Sequence, residues 1–168
     1  IDLQEKEIQR EFSKKIKEGG PDLKRKIKEA LNNMDETDRP GNKNKSRKEQ
    51  VILRTYLFSD AEEFKCALCN QIRPVRIMVA GHIKPRNKCE KEERLDTNVV
   101  MPICKIGCDE LFEKGYLLVD KDGLIIKNNS KPIPQDLDIF FKQYKGLKCT
   151  HFNDRTRNYF QFKYELMA

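Results

Sequence analysis

The sequence contains no apolar run long enough to cross a lipid bilayer. Its first ten residues, IDLQEKEIQR, carry neither the basic-then-apolar pattern of a secretion signal nor an initiator methionine. We therefore expect a cytoplasmic chain with no membrane partner, and one that is a fragment or a processed piece of a longer protein. Only 38% of its 168 residues are hydrophobic, which predicts one modest core and argues against a second full core.

Acidic residues are fewer than basic ones: 27 Asp and Glu stand against 34 Lys and Arg, and the net charge is +7. This balance favours a polyanionic partner such as nucleic acid. An ordinary lysine-rich soluble surface has the same composition, so the charge alone identifies no partner.

Histidine is scarce, with two residues, whereas there are six cysteines. Four of the cysteines form two close pairs, Cys66-x-x-Cys69 and Cys104-x-x-x-Cys108. A short chelate loop places two sulfurs on one face of an ion, so this spacing predicts a tetrahedral structural zinc site. The absence of an export signal favours metal over disulfides, with buried free thiols or a disulfide as the alternatives. Cys89 and Cys149 are interpreted as spare thiols.

The N-terminal part is predicted to be helical and basic. Thin apolar stripes at near-helical spacing predict one helix over residues 3–18 and another over residues 22–33. The lysines of the second helix could follow phosphates, but a solvated helical face is the favoured interpretation. Residues 34–46 have the composition of a linker. A third helix is predicted over residues 46–64, with a capping box that begins at Ser46.

The centre of the chain predicts a ββα unit. Residues 75–80, VRIMVA, are apolar and rich in β-branched side chains, which predicts a strand with His82 at its tip. Residues 99–101 predict a second short strand that ends at Pro102. A helix is predicted from about residue 108 to residue 114.

The C-terminal part predicts a hairpin and two helices. Two short apolar runs, 116–119 and 124–127, flank an Asp-Gly step that favours a tight turn. An amphipathic helix is predicted over residues 135–144 after a proline-rich crossing. A closing helix is predicted over residues 153–166, with either of its first two residues as the cap.

The order of these motifs resembles a known family. The sequence runs C-x-x-C, then Gly-His-Ile-Lys-Pro, then Arg-x-Asp-x-Asn, then C-x-x-x-C-Asp-x-x-Phe-Glu-x-Gly. It resembles the HNH nucleases of the ββα-metal superfamily, in particular the zinc-stapled HNH domains of restriction-type proteins. The resemblance implies an α+β fold with a ββα-metal core and a four-cysteine zinc site, preceded by basic helices and followed by a hairpin and C-terminal helices. The expected domains are a basic helical region 1–33, a linker 34–46 and a nuclease domain 47–168.

The resemblance also assigns roles to individual residues. It implies that His82 is the general base and that the Asn98 carbonyl orients its imidazole. Asp109, three residues before a phenylalanine, takes the place of a third motif residue that is often histidine. Together with Asn98 it would bind Mg²⁺, Mn²⁺ or another divalent ion, whereas Gly81 offers no side-chain ligand where many relatives have one. The alternatives are that His82 is structural, that Asp109 only complements a helix dipole, and that Asn98 is a turn residue.

Basic residues around the loop after the first strand are candidates for phosphate contacts: Lys84, Arg86, Lys88 and Arg94. The two arginines come first, because a guanidinium fork suits phosphate oxygens. His151 is a conceivable alternative ligand or phosphate contact, but an ordinary surface position is the favoured interpretation.

These expectations combine into a function. We expect a metal-dependent DNA endonuclease, the cleavage domain of a restriction or other defence protein, with double-stranded DNA as its partner. A ββα site cuts one strand at a time, so a double-strand break needs a homodimer or sequential nicking. The alternative is a zinc-stabilised nucleic-acid-binding module that is catalytically inactive because of Gly81, and a third candidate is a nuclease for structured RNA.

Overall fold

The computed structural model of the protein describes Arg10, residues 23–36 and residues 43–168. These residues form two compact units: one contains the described residues up to Ala61 together with Glu90–Thr97, and the other contains Glu62–Cys89 and Asn98–Ala168. Apart from Arg10, the helix predicted over residues 3–18 lies outside the described residues. The domain limits expected from the sequence stay predictions. None of the helices in the described ranges has the length and apolarity that a membrane crossing requires.

Two helices, α1 (Leu23–Glu36) and α2 (Lys43–Phe58), pack together in the first unit. Their buried apolar side chains lie at helical spacing: Ile27 and Leu31 in α1, and Ile52, Leu53 and Phe58 in α2. The predicted helix over residues 22–33 is therefore confirmed, with an extension at its end. This unit also contains the short helix α3 (Lys91–Arg94), which a reciprocal capping box between Glu90 and Glu93 begins.

Helix α2 differs from its prediction at both ends. It begins at Lys43, so Ser46 lies inside the helix and not at its N-terminus, where the sequence predicted it. It ends at Phe58, because the next residue, Ser59, takes a left-handed backbone conformation with φ of 48°. The chain then enters a strand, β1 (Glu63–Lys65), where the sequence predicted further helix.

The second unit is built from three antiparallel hairpins. β1 pairs with β2 (Ile72–Pro74), and the turn between them carries the first cysteine pair. β3 (Met78–His82) pairs with β4 (Val100–Cys104) and follows a 3-10 turn at Val75–Ile77, so β3 begins three residues later than predicted. In this hairpin His82 lies opposite Val100. These hairpins and the helices around them confirm the mixed α+β class.

Pro102 lies inside β4, and the prediction that the strand ends there is wrong. Hydrogen-bonded and non-hydrogen-bonded pairs alternate along an antiparallel ladder. The Ile83 N–H donates to Val99 O at 2.8 Å, which makes Ala80 and Pro102 a non-hydrogen-bonded pair. The strand β3 therefore needs no N–H from the proline. On the outer edge of β4 the Pro102 carbonyl accepts a hydrogen bond from Ala67 N–H at 2.8 Å.

Helix α4 (Cys108–Glu113) follows β4 and packs against both strands of its hairpin, as the predicted ββα order requires. The third hairpin, β5 (Leu117–Val119) with β6 (Ile125–Lys127), confirms the prediction from the Asp-Gly step. In its turn the Asp120 carboxylate accepts from the backbone N–H groups of Asp122 and Leu124, at 2.9 and 2.8 Å.

Two helices close the chain. α5 (Gln135–Phe141) continues into a 3-10 turn at Lys142–Tyr144, which confirms the predicted helix over residues 135–144. α6 (Arg157–Met167) begins after the cap position Thr156, so neither Asn153 nor Asp154 caps it. The Asn153 carboxamide instead accepts from Arg155 N–H at 2.9 Å in the turn before the helix.

Helix α6 anchors α4 through a buried lysine. The ammonium of Lys163 donates to the carbonyl of Glu113, the last residue of α4, at 2.9 Å, and lies 5.2 Å from the centroid of the Phe112 ring. A cation at this end of a helix satisfies an orphan carbonyl and complements the dipole. The first turn of α4, which carries the candidate site, is therefore part of a helix fixed at its other end.

Candidate functional site

Four buried cysteines form one cluster, which we call the cysteine cluster: Cys66, Cys69, Cys104 and Cys108. Their sulfur atoms all lie within 4.8 Å of one another, and the Sγ atoms of Cys69 and Cys104 are 3.9 Å apart. Tetrahedral zinc with Zn–S bonds of about 2.3 Å needs sulfurs about 3.8 Å apart. The cluster therefore fits a structural metal ion such as zinc, as the spacing of the cysteine pairs predicted.

A hydrogen bond from the backbone of one half to a sulfur of the other joins the two halves of the cysteine cluster. The first half is the turn after β1, in which Cys66 N–H donates to Gln71 O at 2.9 Å and Asn70 takes a φ of 58°. The second half spans the end of β4 and the start of α4. Along the outer edge of β4, the Cys104 N–H donates to Cys66 Sγ at 3.4 Å. Four ligands are thus preassembled by the strand pairing and the turn geometry.

The sulfur atoms also interact strongly with one another. Hydrogen bonds from the thiols of Cys108 and Cys66 lower the pKa of Cys104. Donation to Cys104 in turn raises the pKa of both donors, and burial adds to the rise. The four sulfurs therefore behave as one coupled group. Since a metal ligand must be a thiolate, binding of an ion would release protons from this group.

Tyr144 supports the cysteine cluster from the turn after α5. Its hydroxyl lies 3.2 Å from Cys108 Sγ, and it is fully buried. Burial, with this hydrogen bond next, raises the pKa of Tyr144, so the phenol stays protonated and can donate to a thiolate. Hydrogen bonds to the sulfur ligands of a metal orient them and hold their charge.

Replacing Tyr144 with phenylalanine is expected to weaken zinc binding by about tenfold, because a buried ligand loses its donor. Competition with a chromophoric chelator measures this affinity. Tyr116→Phe is the matched control, since it removes a tyrosine hydroxyl from the same unit away from the cluster. An unchanged zinc affinity in Tyr144→Phe would show that the hydroxyl does not act on the metal.

The two remaining cysteines do not join the cysteine cluster. Both are buried, and the Cys89 thiol lies 3.6 Å from Lys84 O. Burial raises the pKa of Cys149 to about 12, so its thiol is inert at neutral pH. His151 was expected on the surface, but it is half-buried: burial lowers its pKa, and it makes a hydrogen bond to the backbone of Val100.

His82, Asn98 and Asp109 lie at neighbouring points of the ββα unit. His82 is the last residue of β3, and Asn98 lies in the 3-10 turn Thr97–Val99 immediately before β4, so both are at the same end of the hairpin. Asp109 is the second residue of α4, which packs on the hairpin. A Cβ atom on Gly81 would lie 3.7 Å from Asp109 Oδ1, so the carboxylate lies beside the residue preceding the histidine. Burial, followed by the charge of Glu113, raises the pKa of Asp109.

Gly81 has a steric reason to be glycine. A Cβ atom there would lie 2.5 Å from Cγ2 of Ile103, a buried residue of the facing strand. Gly81→Ala is therefore expected to destabilise the protein by about 1–3 kcal/mol, the usual cost of an added methyl group in a packed core. Urea denaturation measures the change. In an Ile103→Ala background, Gly81→Ala should destabilise the protein much less. An equal loss of stability in both backgrounds would show that Ile103 is not the source of the strain.

The four candidate phosphate contacts have different surroundings. Lys84 is only 8% exposed, and its ammonium lies 4.2 Å from the centroid of the Phe162 ring, so it would have to leave that ring to reach a phosphate. Arg86 is half-buried and Lys88 is exposed, and both lie in the 3-10 turn Arg86–Lys88. Arg94 is half-buried at the end of α3, in the first unit.

The fold and the cysteine cluster define a class: an α+β protein with a buried four-cysteine site suited to a structural metal. Comparison of the chain with protein-family models and with curated proteins gives no match.

Proposed function

We propose that this chain is a metal-dependent DNA endonuclease of the HNH type, acting as the cleavage domain of a restriction or other defence protein. The observation that carries the proposal is the position of the Asp109 carboxylate, 3.7 Å from where a Gly81 side chain would begin and therefore beside the strand end that carries His82. A candidate base at the end of β3 and a candidate metal ligand in the first turn of α4 thus belong to elements that pack together. The sequence motifs in the same region resemble those of HNH nucleases.

His82 is the proposed general base. Hydrolysis of a phosphodiester needs a water molecule that loses a proton as it attacks in line with the leaving oxygen. Imidazole suits this task because its charge changes near neutral pH. The Asn98 carboxamide oxygen would accept a hydrogen bond from the N–H of the other ring nitrogen and so hold the imidazole in one tautomer and one orientation.

Asp109 and Asn98 are the proposed ligands of the catalytic ion. Both offer oxygen atoms, the donors that Mg²⁺ and Mn²⁺ prefer. When bound, such an ion supplies charge stabilisation for the phosphate oxygens and for the leaving group. The half-buried setting of Asp109 suits this role, because a carboxylate with a raised pKa gains from a nearby cation.

The cysteine cluster has a positioning role in this proposal. Cys108 is the first residue of α4 and Asp109 is the second, so a metal ion held by the cluster would also fix the candidate ligand. Lys163 holds the other end of the helix. Precise placement of a ligand or base is what catalysis requires of its surrounding structure.

Duplex DNA is the proposed substrate. The net charge of +7 favours a phosphate backbone. Within the second unit, Lys88 is exposed and Arg86 half-buried in the turn that follows Lys84 and Pro85, close in sequence to His82. Phosphate contacts there would orient the duplex at the strand end without reading its bases.

Nicking of supercoiled plasmid by the purified chain tests the proposal. Reactions contain Mg²⁺, Mn²⁺, Ni²⁺, Co²⁺ or EDTA, and the zinc content of each sample is measured so that loss of the structural ion is recognised. We expect nicks with at least one ion and none without. If no ion gives nicks but the plasmid is retarded in a gel, the result would instead favour an inactive DNA-binding module. This is the alternative that rests on the missing side chain at Gly81. Folded RNA in parallel reactions tests the remaining candidate substrate.

A further inference from the structure

Lys84 is buried although it belongs to a charged stretch of the sequence. Its side chain is 8% exposed, and its ammonium lies 4.2 Å from the centroid of the Phe162 ring in α6. The other cation–π contacts in the described part of the chain lie at 5.2 Å or more. A cation close to an aromatic face is stabilised most where water is excluded from it. The Phe162 ring therefore holds the Lys84 side chain in place.

The backbone around Lys84 is held as well. The Cys89 thiol lies 3.6 Å from the Lys84 carbonyl oxygen. Immediately before it, the Ile83 N–H donates to Val99 O at 2.8 Å, and the Ile83 side chain is fully buried. The two residues that follow His82 are thus fixed through both their main chain and their side chains.

These features fit a structural role for Lys84 better than a phosphate contact. Moving its ammonium to a phosphate would break the contact with Phe162 and uncover the face of the ring, whereas Lys88 is already exposed. A long side chain loses conformational entropy when it is buried, and a buried ammonium loses its contacts with water. The contact with the ring offsets part of both losses and is given up if the lysine moves.

Helix α6 also contacts α4, through other residues. The Phe160 ring packs edge-on against Phe112 of α4, with 6.3 Å between the ring centroids. The Lys163 ammonium donates to the Glu113 carbonyl at the end of α4. Phe160 and Lys163 are both buried and three residues apart, so they lie on one side of α6. Helix α6 thus holds the helix whose second residue is Asp109.

We propose that Lys84 is a positioning residue. Its contact with Phe162 couples the strand end that carries His82 to α6, and α6 in turn holds α4 with Asp109. Lys84 thereby fixes the base relative to the metal ligand without touching DNA. The consequence for catalysis rests on the proposed nuclease function, whereas the coupling of the two elements does not. A displacement of about 1 Å at a catalytic group can lower a rate about 100-fold, so this coupling matters for the reaction.

A double-mutant cycle in urea denaturation tests the contact itself. Lys84→Met keeps most of the side-chain length and removes the charge, and Phe162→Leu keeps an apolar side chain and removes the ring. We expect the two substitutions to be coupled by about 5- to 30-fold in the folding equilibrium constant, the range of a partly desolvated cation–π contact. Lys84→Met with Phe152→Leu is the matched cycle, since Phe152 is also a half-buried phenylalanine under a cation, Arg157. Coupling no larger than in the matched cycle would overturn the proposal.

Nuclear magnetic resonance of the imidazole groups reports the effect on His82 without any assay of activity. The chain has two histidines, so the His82 signals are assigned with His82→Ala. Lys84→Met and Phe162→Leu are both expected to shift or broaden these signals, because the strand end loses its contact with α6. Lys84→Met keeps the aromatic ring, so loss of a ring current does not explain its effect. Phe162→Tyr keeps an aromatic face and should restore the parent signals. His82 signals that stay unchanged in Lys84→Met would overturn the coupling.

Plasmid nicking separates a positioning role from a phosphate contact, because the two roles predict opposite results for Phe162→Leu. A positioning role predicts nicking about tenfold slower at saturating DNA, with unchanged DNA affinity and a restored rate in Phe162→Tyr. A phosphate contact predicts undiminished nicking and equal or tighter DNA binding, since the lysine is released from the ring. Phe152→Leu should keep the parent rate. An active parent chain with an equal rate in Phe162→Leu would overturn the positioning role.

The salt dependence of DNA binding gives a second distinction. Each phosphate contact adds about one to the slope of log affinity against log salt concentration. Lys84→Met is expected to leave this slope unchanged, whereas Lys88→Met, at an exposed position of the same loop, should reduce it by about one. A reduced slope in Lys84→Met would assign the lysine to the phosphates and overturn the proposal. A parent chain that nicks with no ion refutes the proposed function instead, and the double-mutant cycle and the histidine signals then decide the coupling.

Discussion

Replacing Cys104 with serine is expected to unfold most of the unit that contains the β3–β4 hairpin. Cys104 ends β4, and its sulfur lies 3.9 Å from that of Cys69. Hydrogen bonds from the thiols of Cys108 and Cys66 lower its pKa, and its own backbone N–H donates to Cys66 Sγ. Structural zinc supplies about 10–16 kcal/mol of apparent binding free energy in small zinc-dependent folds. Loss of this thiolate should cost at least about 5 kcal/mol, comparable to the whole stability of a small domain.

The geometry of the unit explains why so much depends on one ligand. Three short hairpins and short helices bury little apolar surface each, and strands of three residues are marginal by themselves. Through a shared metal ion, the Cys104 thiolate at the end of β4 would be connected to the turn after β1 and to the start of α4. Small folds that lack a large core commonly depend on such a metal staple.

Thermal unfolding followed by circular dichroism, with zinc content measured by mass spectrometry, checks this expectation. Cys89→Ser is the matched control, since Cys89 is also buried but lies outside the cysteine cluster. It should retain its zinc and lose only about 1–3 kcal/mol, the cost of a buried polar mismatch. A strong chelator should reproduce the Cys104→Ser result in the parent chain. Retention of full zinc content and an unchanged melting temperature in Cys104→Ser would refute a structural role for the metal.

The features that the sequence predicted well are those decided by neighbouring residues. The spacing of two cysteine pairs was enough to predict the cluster, because short chelate loops have few geometries. The Asp-Gly step predicted the β5–β6 hairpin, since the turn conformation is local and Gly123 takes a φ of 81°. The helix over residues 135–144 likewise follows from its apolar spacing.

The features that the sequence did not predict depend on partners distant in the chain. Proline is a local signal for the end of a strand, but Pro102 continues β4 because Ala67 supplies a hydrogen-bond donor to its carbonyl on the outer edge. Lys84 belongs by sequence to a charged loop, yet its ammonium lies over the Phe162 ring of the last helix. No local sequence pattern predicts this contact. The half-buried position of His151 likewise depends on residues that are distant in the sequence.

Some features of the candidate site were predicted from the sequence, and others were not. The tip position of His82 follows from the strand pattern, and the helical position of Asp109 follows from the motif after Cys108. The approach of the Asp109 carboxylate to Gly81 depends on the packing of α4 against β3, which sequence spacing cannot supply. The steric reason for glycine at position 81 could not be predicted from the sequence either, because Ile103 lies against Gly81 only when β4 pairs with β3.

His82→Ala is expected to reduce plasmid nicking by about 10²–10⁴-fold if the proposed mechanism is correct, because a positioned general base contributes about that factor. The imidazole is at the end of β3 and is not part of the cysteine cluster, so zinc content and thermal stability should change little. This separation distinguishes loss of a base from loss of structure. Asp109→Asn should also reduce nicking, since a carboxamide binds a divalent cation more weakly than a carboxylate.

The matched control is His151→Ala, which removes the other histidine of the chain and leaves the His82 side chain in place. It is expected to keep its nicking rate once the fraction of folded protein is accounted for. Initial rates over a range of Mn²⁺ concentrations separate the two site variants: Asp109→Asn should need more metal to reach its maximum, whereas His82→Ala should be slow at every concentration. Equal rates for the parent chain and His82→Ala would remove the histidine from the chemistry. The same loss in His151→Ala would indicate that both substitutions act through the stability of the hairpin, since His151 bonds to the backbone of Val100, opposite His82.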